Sequence, residues 1–269
     1  MLDYAFILPH YNLSHRSVLA QSLVLVALLA RMWLPALGVF TALALRGEGL
    51  GRVKGAIRPP SLLDSLLAVS SILVAYTLSL LISGLLGLGI GVCGVPGLGA
   101  EMIALLLAMG VLAGITVNAL AALGEEIAWR GFLLDELGPR LGFWEAVILI
   151  GVAWGLWHAP LILEGYNFTI PWLRGCGEPS RGLAALLVFT VFTVSLGALL
   201  SLLREATGNL YAAAMGHGTV NAVAGLYAVL VKGPRLLAPP AGLAVSAAFT
   251  LTTMLLLLLV PRLGIGARG

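Results

Sequence analysis

Apolar runs close to the roughly 20 residues that an α-helix needs to cross a bilayer recur along this chain, at about 17–45, 62–90, 101–137, 143–164, 182–204, 209–231 and 239–261. Backbone immersed in lipid must satisfy its own hydrogen bonds, so lipid-facing sheet edges are excluded at depth and the runs must be helices. The expected fold class is all-α: a polytopic membrane helical bundle of about seven to eight transmembrane helices around a polar intramembrane cavity. Composition agrees, with 60% hydrophobic and 10% charged residues and a mean hydropathy of +1.04, where a soluble domain carries about 25% charged residues. The first run holds Arg31 and Pro35 and reads as one long, tilted and kinked helix, because two passes would each be too short. The third is too long for one straight crossing, and Gly110 and Gly114 are the expected places for a bend.

No cleavable signal peptide is read, since the first apolar run begins after residue 16 and is too long for an h-region. Orientation follows from Lys and Arg in short loops. Arg46, Arg52, Lys54 and Arg58 follow the first run and Arg262 and Arg268 follow the last, which puts these clusters in the cytoplasm and the N-terminus outside. Arg174, Arg181, Lys232 and Arg235 then fall outside, against the rule. The net charge of +3 needs no nucleic-acid partner, because juxtamembrane bases beside anionic lipid account for it. Cys93 and Cys176 both lie in outer loops, where an oxidising exterior permits a disulfide and two free thiols are the alternative. The sequons at Asn12 and Asn167 carry little weight. Without repeats or low-complexity segments, residues 1–269 read as a single integral membrane domain.

The residues that break the apolar pattern carry the chemistry. In GEEIAWRGF, Glu125, Glu126 and Arg130 sit inside a spanning run, where each ionisable group costs about 2.5–3.5 kcal/mol on insertion scales. Glu126 and Arg130 are four residues apart and share a helical face, so a purely structural ion pair is one reading. Glu125 lies about 100° round the helix from Glu126, so Arg130 does not serve both carboxylates. Left without its own cation, Glu125 fits the requirement for a general base working near neutral pH. His10 and His15 belong to a solvated tail, whereas His158 and His217 lie inside apolar helices, where packing and catalysis are both open.

Depth brings these residues together. Glu125 and His158 lie about 21 and 24 Å from the turn LGPRLGF that joins their helices, at 1.5 Å per residue. His217 and Asn221, also four residues apart, lie about 14 and 20 Å beyond Gly208 at a membrane edge of the same side. Four polar side chains from three helices therefore meet in one half of the membrane, taken as the cytoplasmic half. Glu125 and His158 could activate a water, and His217 with Asn221 could donate to the oxyanion of a tetrahedral intermediate. A zinc ion held by His158, His217 and Glu125 is the alternative, although the H-E-x-x-H signature is absent. No serine or cysteine is placed beside a histidine as a nucleophile would be.

Three stretches, EEIAWRGFLL, WGLWHAPLIL and GNLYAAAMGHGTVNA, resemble the ordered motifs E-E-x-x-x-R, F-x-x-x-H and H-x-x-x-N of the CPBP family, the type II CAAX prenyl endopeptidase or ABI family. The likeness spans about 100 residues from Glu125 to Asn221, with Trp154 standing where the second motif has phenylalanine. The resemblance implies an intramembrane endopeptidase with Glu125 as general base, His158 assisting, and His217 and Asn221 as the oxyanion hole. Glu126, Arg130 and Trp154 would support the site or meet the substrate, within a protease core of about 101–232. It implies a glutamate-dependent reaction without a cofactor, with zinc as the alternative. The implied partners are membrane lipid and a peptide or prenylated-protein substrate, cut to release a C-terminal tripeptide. Thirteen arginines against two lysines point to a GC-rich prokaryotic genome and so to a prokaryotic cell membrane. Two rivals remain: a proton- or ion-coupled transporter, for which no inverted repeat is found, and a non-catalytic scaffold or bacteriocin-immunity protein.

Overall fold

A computed structural model describes residues 18–168, 176–178 and 180–259. His10, His15, Arg174, Arg262, Arg268 and the Asn12 sequon lie outside the described residues. The elements are α1 (Val18–Leu45), α2 (Gly51–Ala56), α3 (Leu62–Leu85), β1 (Gly89–Ile90), α4 (Ala100–Ile115), α5 (Val117–Glu126), a π-helical turn (Ile127–Leu133), α6 (Leu134–Leu141), α7 (Phe143–Trp157), α8 (Ala159–Leu163), α9 (Gly182–Thr207), α10 (Leu210–Val229), β2 (Val231–Lys232) and α11 (Leu243–Leu259).

Among the described residues each apolar run read from the sequence is mostly helix, and the molecule is a helical membrane bundle in which β1 and β2 have two residues each. Among the described residues, three helices are long and apolar enough to cross a membrane alone: Val26–Leu45 within α1, α3 and α9. A fourth span results if the bent pair Ala100–Ile115 and Val117–Leu141 crosses as one unit, while α7 and α11 are shorter apolar helices. Leu62, Leu66, Leu81 and Leu85 on α3 and Leu251, Leu255 and Leu258 on α11 are exposed, as lipid-facing positions of such a bundle are.

α10 sits at the centre, packed against α3, α4, α5 and α9; α7 lies on α9, α11 on α3 and α9, and α1 on α5 and the π-helical turn. Apolar side chains gain little from packing together in lipid, so close approach of backbones holds such helices. Gly151 and Gly155, one turn apart on α7, supply this contact. A methyl group on Gly151 would stand 2.6 Å from Val194 Cα of α9, and one on Gly155 would stand 2.8 Å from Thr190 Cα. The hydroxyl of Thr193 bridges the same helices by donating to the Gly151 carbonyl at 2.9 Å.

Two expectations about helix continuity are corrected. The bend in the third run falls at Thr116, where α4 and α5 meet at 46°, and not at Gly110 or Gly114. Gly114 is occupied with packing, since a methyl there would stand 2.7 Å from Thr219 Cα on α10. The run at 143–164 is broken at His158, because Pro160 brings no N–H to the first turn of α8 and clashes with a continuing helix.

The two ends of the bundle are tied differently. At one, Ser61 and Asp64 cap α3 reciprocally, and Asn209 caps α10 while donating to Asp64 at 3.1 Å and to the Arg58 carbonyl at 3.2 Å. Arg204 pairs with Asp135 at 2.6 Å at this end. At the other, β1 pairs antiparallel with β2, and Cys93 is bonded to Cys176. The question left open between a bridge and free thiols is thus answered by a disulfide.

Candidate active site

The stretch from Gly124 to Arg130 spans the end of α5 and the π-helical turn. In that turn the backbone bonds reach five residues back, as from Leu134 N to the Trp129 carbonyl. Such turns are rare and concentrate at functional sites. Glu125 and Glu126 are both buried, and their carboxylates diverge into separate networks.

Glu126 faces the packed side. Its Oε1 accepts from Arg130 Nη1 at 2.9 Å and from His217 Nδ1 at 2.8 Å. The Arg130 guanidinium also lies over the Trp154 ring, 4.4 Å from its centroid. The ion pair read from the four-residue spacing is therefore present, and it extends to His217.

Glu125 faces a cavity of about 380 Å3, whose wall also includes Arg31, Asn118, Trp154, His158, His217 and Asn221. Its Oε2 accepts a 2.6 Å hydrogen bond from the indole N–H of Trp154. Its Oε1 lies 3.9 Å from Arg31 Nη1. The expectation that Glu125 has no cation of its own is corrected here: the first helix supplies one. The single-helix view behind that expectation considered only Arg130.

Trp154 joins the parts. Its indole N–H holds Glu125, and its backbone carbonyl accepts from His158 Nδ1 at 2.9 Å. Its ring lies 5.1 Å from that of His217, centroid to centroid. A carbonyl can only accept, so the bond to His158 puts the proton on Nδ1 and leaves Nε2 with its lone pair. The broken helix makes this arrangement available: His158 N turns to Gly155 O, which frees the Trp154 carbonyl for the imidazole.

Glu125, His158, His217, Asn221 and Trp154 are thus brought to one cavity, with Asn221 at its exposed side. Glu126 and Arg130 stand behind it and act on it through His217 and Trp154. Arg31 and Asn118 are among the wall residues that the sequence reading did not place at the site. Arg31 was visible as an ionisable residue in a spanning run, the signal that singled out Glu125. Asn118 lies seven residues before Glu125 and so on the same helical face, a weaker signal. Among the described residues, no three His, Cys, Asp or Glu side chains are grouped to hold a metal ion. Glu126 is engaged by Arg130 and His217, and the Nδ1 atoms of both site histidines are in hydrogen bonds, which leaves the Nε2 atoms as the ring nitrogens open to a water, a substrate or a metal.

Residues 103–223 match the family model described as type II CAAX prenyl endopeptidase Rce1-like. This segment is similar to that family. It runs from α4 to α10 and contains every motif residue from Glu125 to Asn221. Over 53 residues the chain is also 51% identical to the protein named CAAX prenyl protease 2 of Methanococcus maripaludis. That stretch covers 19% of this chain and about a fifth, 20%, of the relative's length. Helix α1, which carries Arg31, lies outside the matched segment.

Proposed function

We propose that this chain is an intramembrane endopeptidase that hydrolyses a peptide bond in a membrane-associated substrate, with Glu125 and His158 activating the attacking water. The observation that carries this reading is the pair of hydrogen bonds from one residue, Trp154, to Glu125 and to His158 at the wall of a single cavity. The match of residues 103–223 to the prenyl endopeptidase family supports it.

Water held between the Glu125 carboxylate and His158 Nε2 would lose a proton to Glu125 as its oxygen attacks the carbonyl carbon. The oxyanion formed would accept from Asn221 Nδ2 and, with His217 as imidazolium, from its Nε2–H, while its Nδ1–H is donated to Glu126. Preorganised donors of this kind are the main electrostatic contribution in acyl transfer. Glu125 would then return the proton to the departing nitrogen as the C–N bond breaks, which balances the hydrolysis. No step calls on a metal.

The proposed substrate is a prenylated CAAX-type protein, cut to release its C-terminal tripeptide; the name of the Methanococcus maripaludis relative supports the CAAX prenyl class. The proposed core is about 101–232, in a single membrane domain with its cavity opening to the cytoplasm. The test is cleavage of a quenched fluorescent farnesylated CAAX peptide by the purified protein, by Glu125→Gln, and in the presence of a strong chelator. Cleavage that survives chelation and is lost in the variant supports the reading. Equal cleavage by variant and wild type sinks Glu125 as the base. Loss on chelation with recovery on adding zinc makes the enzyme metal-dependent. A scaffold protein would cleave nothing, and a transporter would show Glu125-dependent ion flux instead.

A further inference from the structure

We infer that Arg31 is a positioning residue that sets Glu125 and the His158 turn against each other, so that the two groups flanking the attacking water are held in register by the first helix. This deepens the protease reading and rests on it.

Arg31 is only 3% exposed, although it is a full cation on a helix that otherwise reads as a membrane span. A charge at that depth is costly, and contacts to one small region offset the cost. Nη2 donates to the Trp157 carbonyl at 2.5 Å. The guanidinium lies over the Trp157 ring, 4.8 Å from its centroid. Nη1 stands 3.9 Å from Glu125 Oε1.

The Trp157 carbonyl is available because the helix breaks there. In a continuous helix it would accept from Leu161 N, but Leu161 N and Ile162 N both turn to the His158 carbonyl. Arg31 therefore caps the residue directly before His158, and the same planar fork faces the carboxylate of Glu125. A guanidinium can serve two acceptors in fixed directions, which a lysine ammonium on a flexible stem does not reproduce. With Oε2 taken by Trp154, Arg31 neutralises the Oε1 side at an ion-pair distance and leaves room for a water to hydrogen-bond that oxygen.

A purely structural role, stapling α1 to the end of α7, needs only the carbonyl contact. The two roles separate experimentally. Wild type, Glu125→Gln, Arg31→Met and Arg31→Lys are purified as full chains in detergent, and kcat and KM are measured with the farnesylated peptide. Thermal melts are collected for each and for the double variant Arg31→Met/Glu125→Gln. Positioning predicts at least a tenfold lower kcat for Arg31→Met, KM within twofold, and a several-fold recovery of kcat in Arg31→Lys. It also predicts that the melting shift caused by Arg31→Met shrinks by at least half in the Glu125→Gln background, because the unpaired carboxylate is then gone. Arg31→Met with kcat within twofold of wild type, or with only KM changed, overturns the inference, and so does an equal melting shift in both backgrounds. If Arg31→Met does not fold, Arg31→Gln takes its place in the same measurements, and a kcat for it within twofold of wild type overturns the inference. A wild type without any cleavage overturns the protease reading, and the catalytic role of Arg31 with it, while the melting cycle reports separately on the Arg31–Glu125 pair.

Discussion

The indole N–H of Trp154 donates to Oε2 of Glu125 at 2.6 Å, from a helix three elements further along the chain. A phenylalanine in its place would keep the flat ring and lose the donor. Hydrogen bonds to charged groups contribute about 1.5–3 kcal/mol, and about 1.36 kcal/mol is a factor of ten in rate. Trp154→Phe is therefore expected to lower kcat about 10- to 100-fold with KM little changed, measured by steady-state cleavage. A variant as fast as wild type would show that this bond does not hold the carboxylate for catalysis.

Arg130 is buried against Glu126 and the face of Trp154. Removing one partner of a buried pair leaves an uncompensated charge and costs about 3–5 kcal/mol. Arg130→Ala should lower thermal stability by roughly that amount, whereas Glu125→Gln keeps the shape and an amide oxygen for Trp154, and leaves Arg31 its Trp157 carbonyl, so it should fold with a smaller loss. Detergent-phase melting distinguishes them, and equal melting of Arg130→Ala and wild type would contradict the assignment.

Asn221 lies at the exposed side of the cavity on the helix that carries His217. Loss of one oxyanion donor typically lowers kcat about 100- to 1000-fold. That is the effect expected for Asn221→Ala, with the melting temperature unchanged; a loss confined to KM would mean that Asn221 only binds substrate.

The approach of α7 to α9 at Gly151 leaves no room for a side chain. Gly151→Leu is expected to separate the helices and move Trp154 and His158, giving a protein that melts earlier and cleaves poorly. Gly38→Ala, with open space at its Cβ position away from the cavity, should do neither. Comparison of the two by melting and by cleavage rate checks the packing account.

Much of the site was legible because depth along a helix is arithmetic. The four-residue spacing of Glu126 and Arg130 gave their ion pair, and counting from turns brought Glu125, His158, His217 and Asn221 to one level. What escaped was contact between helices far apart in sequence. Arg31 meets Glu125 across 94 positions of chain, and no local pattern on α1 announces it. Trp154 was read as a packing surface because the motif asks only for an aromatic; its N–H matters only once α5 and α7 are side by side. The break at His158 could have been found, since Pro160 sits within the run and disfavours helix before it. The π-helical turn and the bend at Thr116 depend on how α5 fits between α1 and α10, which composition does not specify.

The bond between Cys93 and Cys176 makes a covalent ring of the chain between them, and that ring holds Glu125, Glu126, Arg130, Trp154 and His158 while Arg31, His217 and Asn221 lie on the two arms outside it. A single backbone cut anywhere within the ring would leave all three parts in one molecule, running as an intact chain on a gel until the disulfide is reduced.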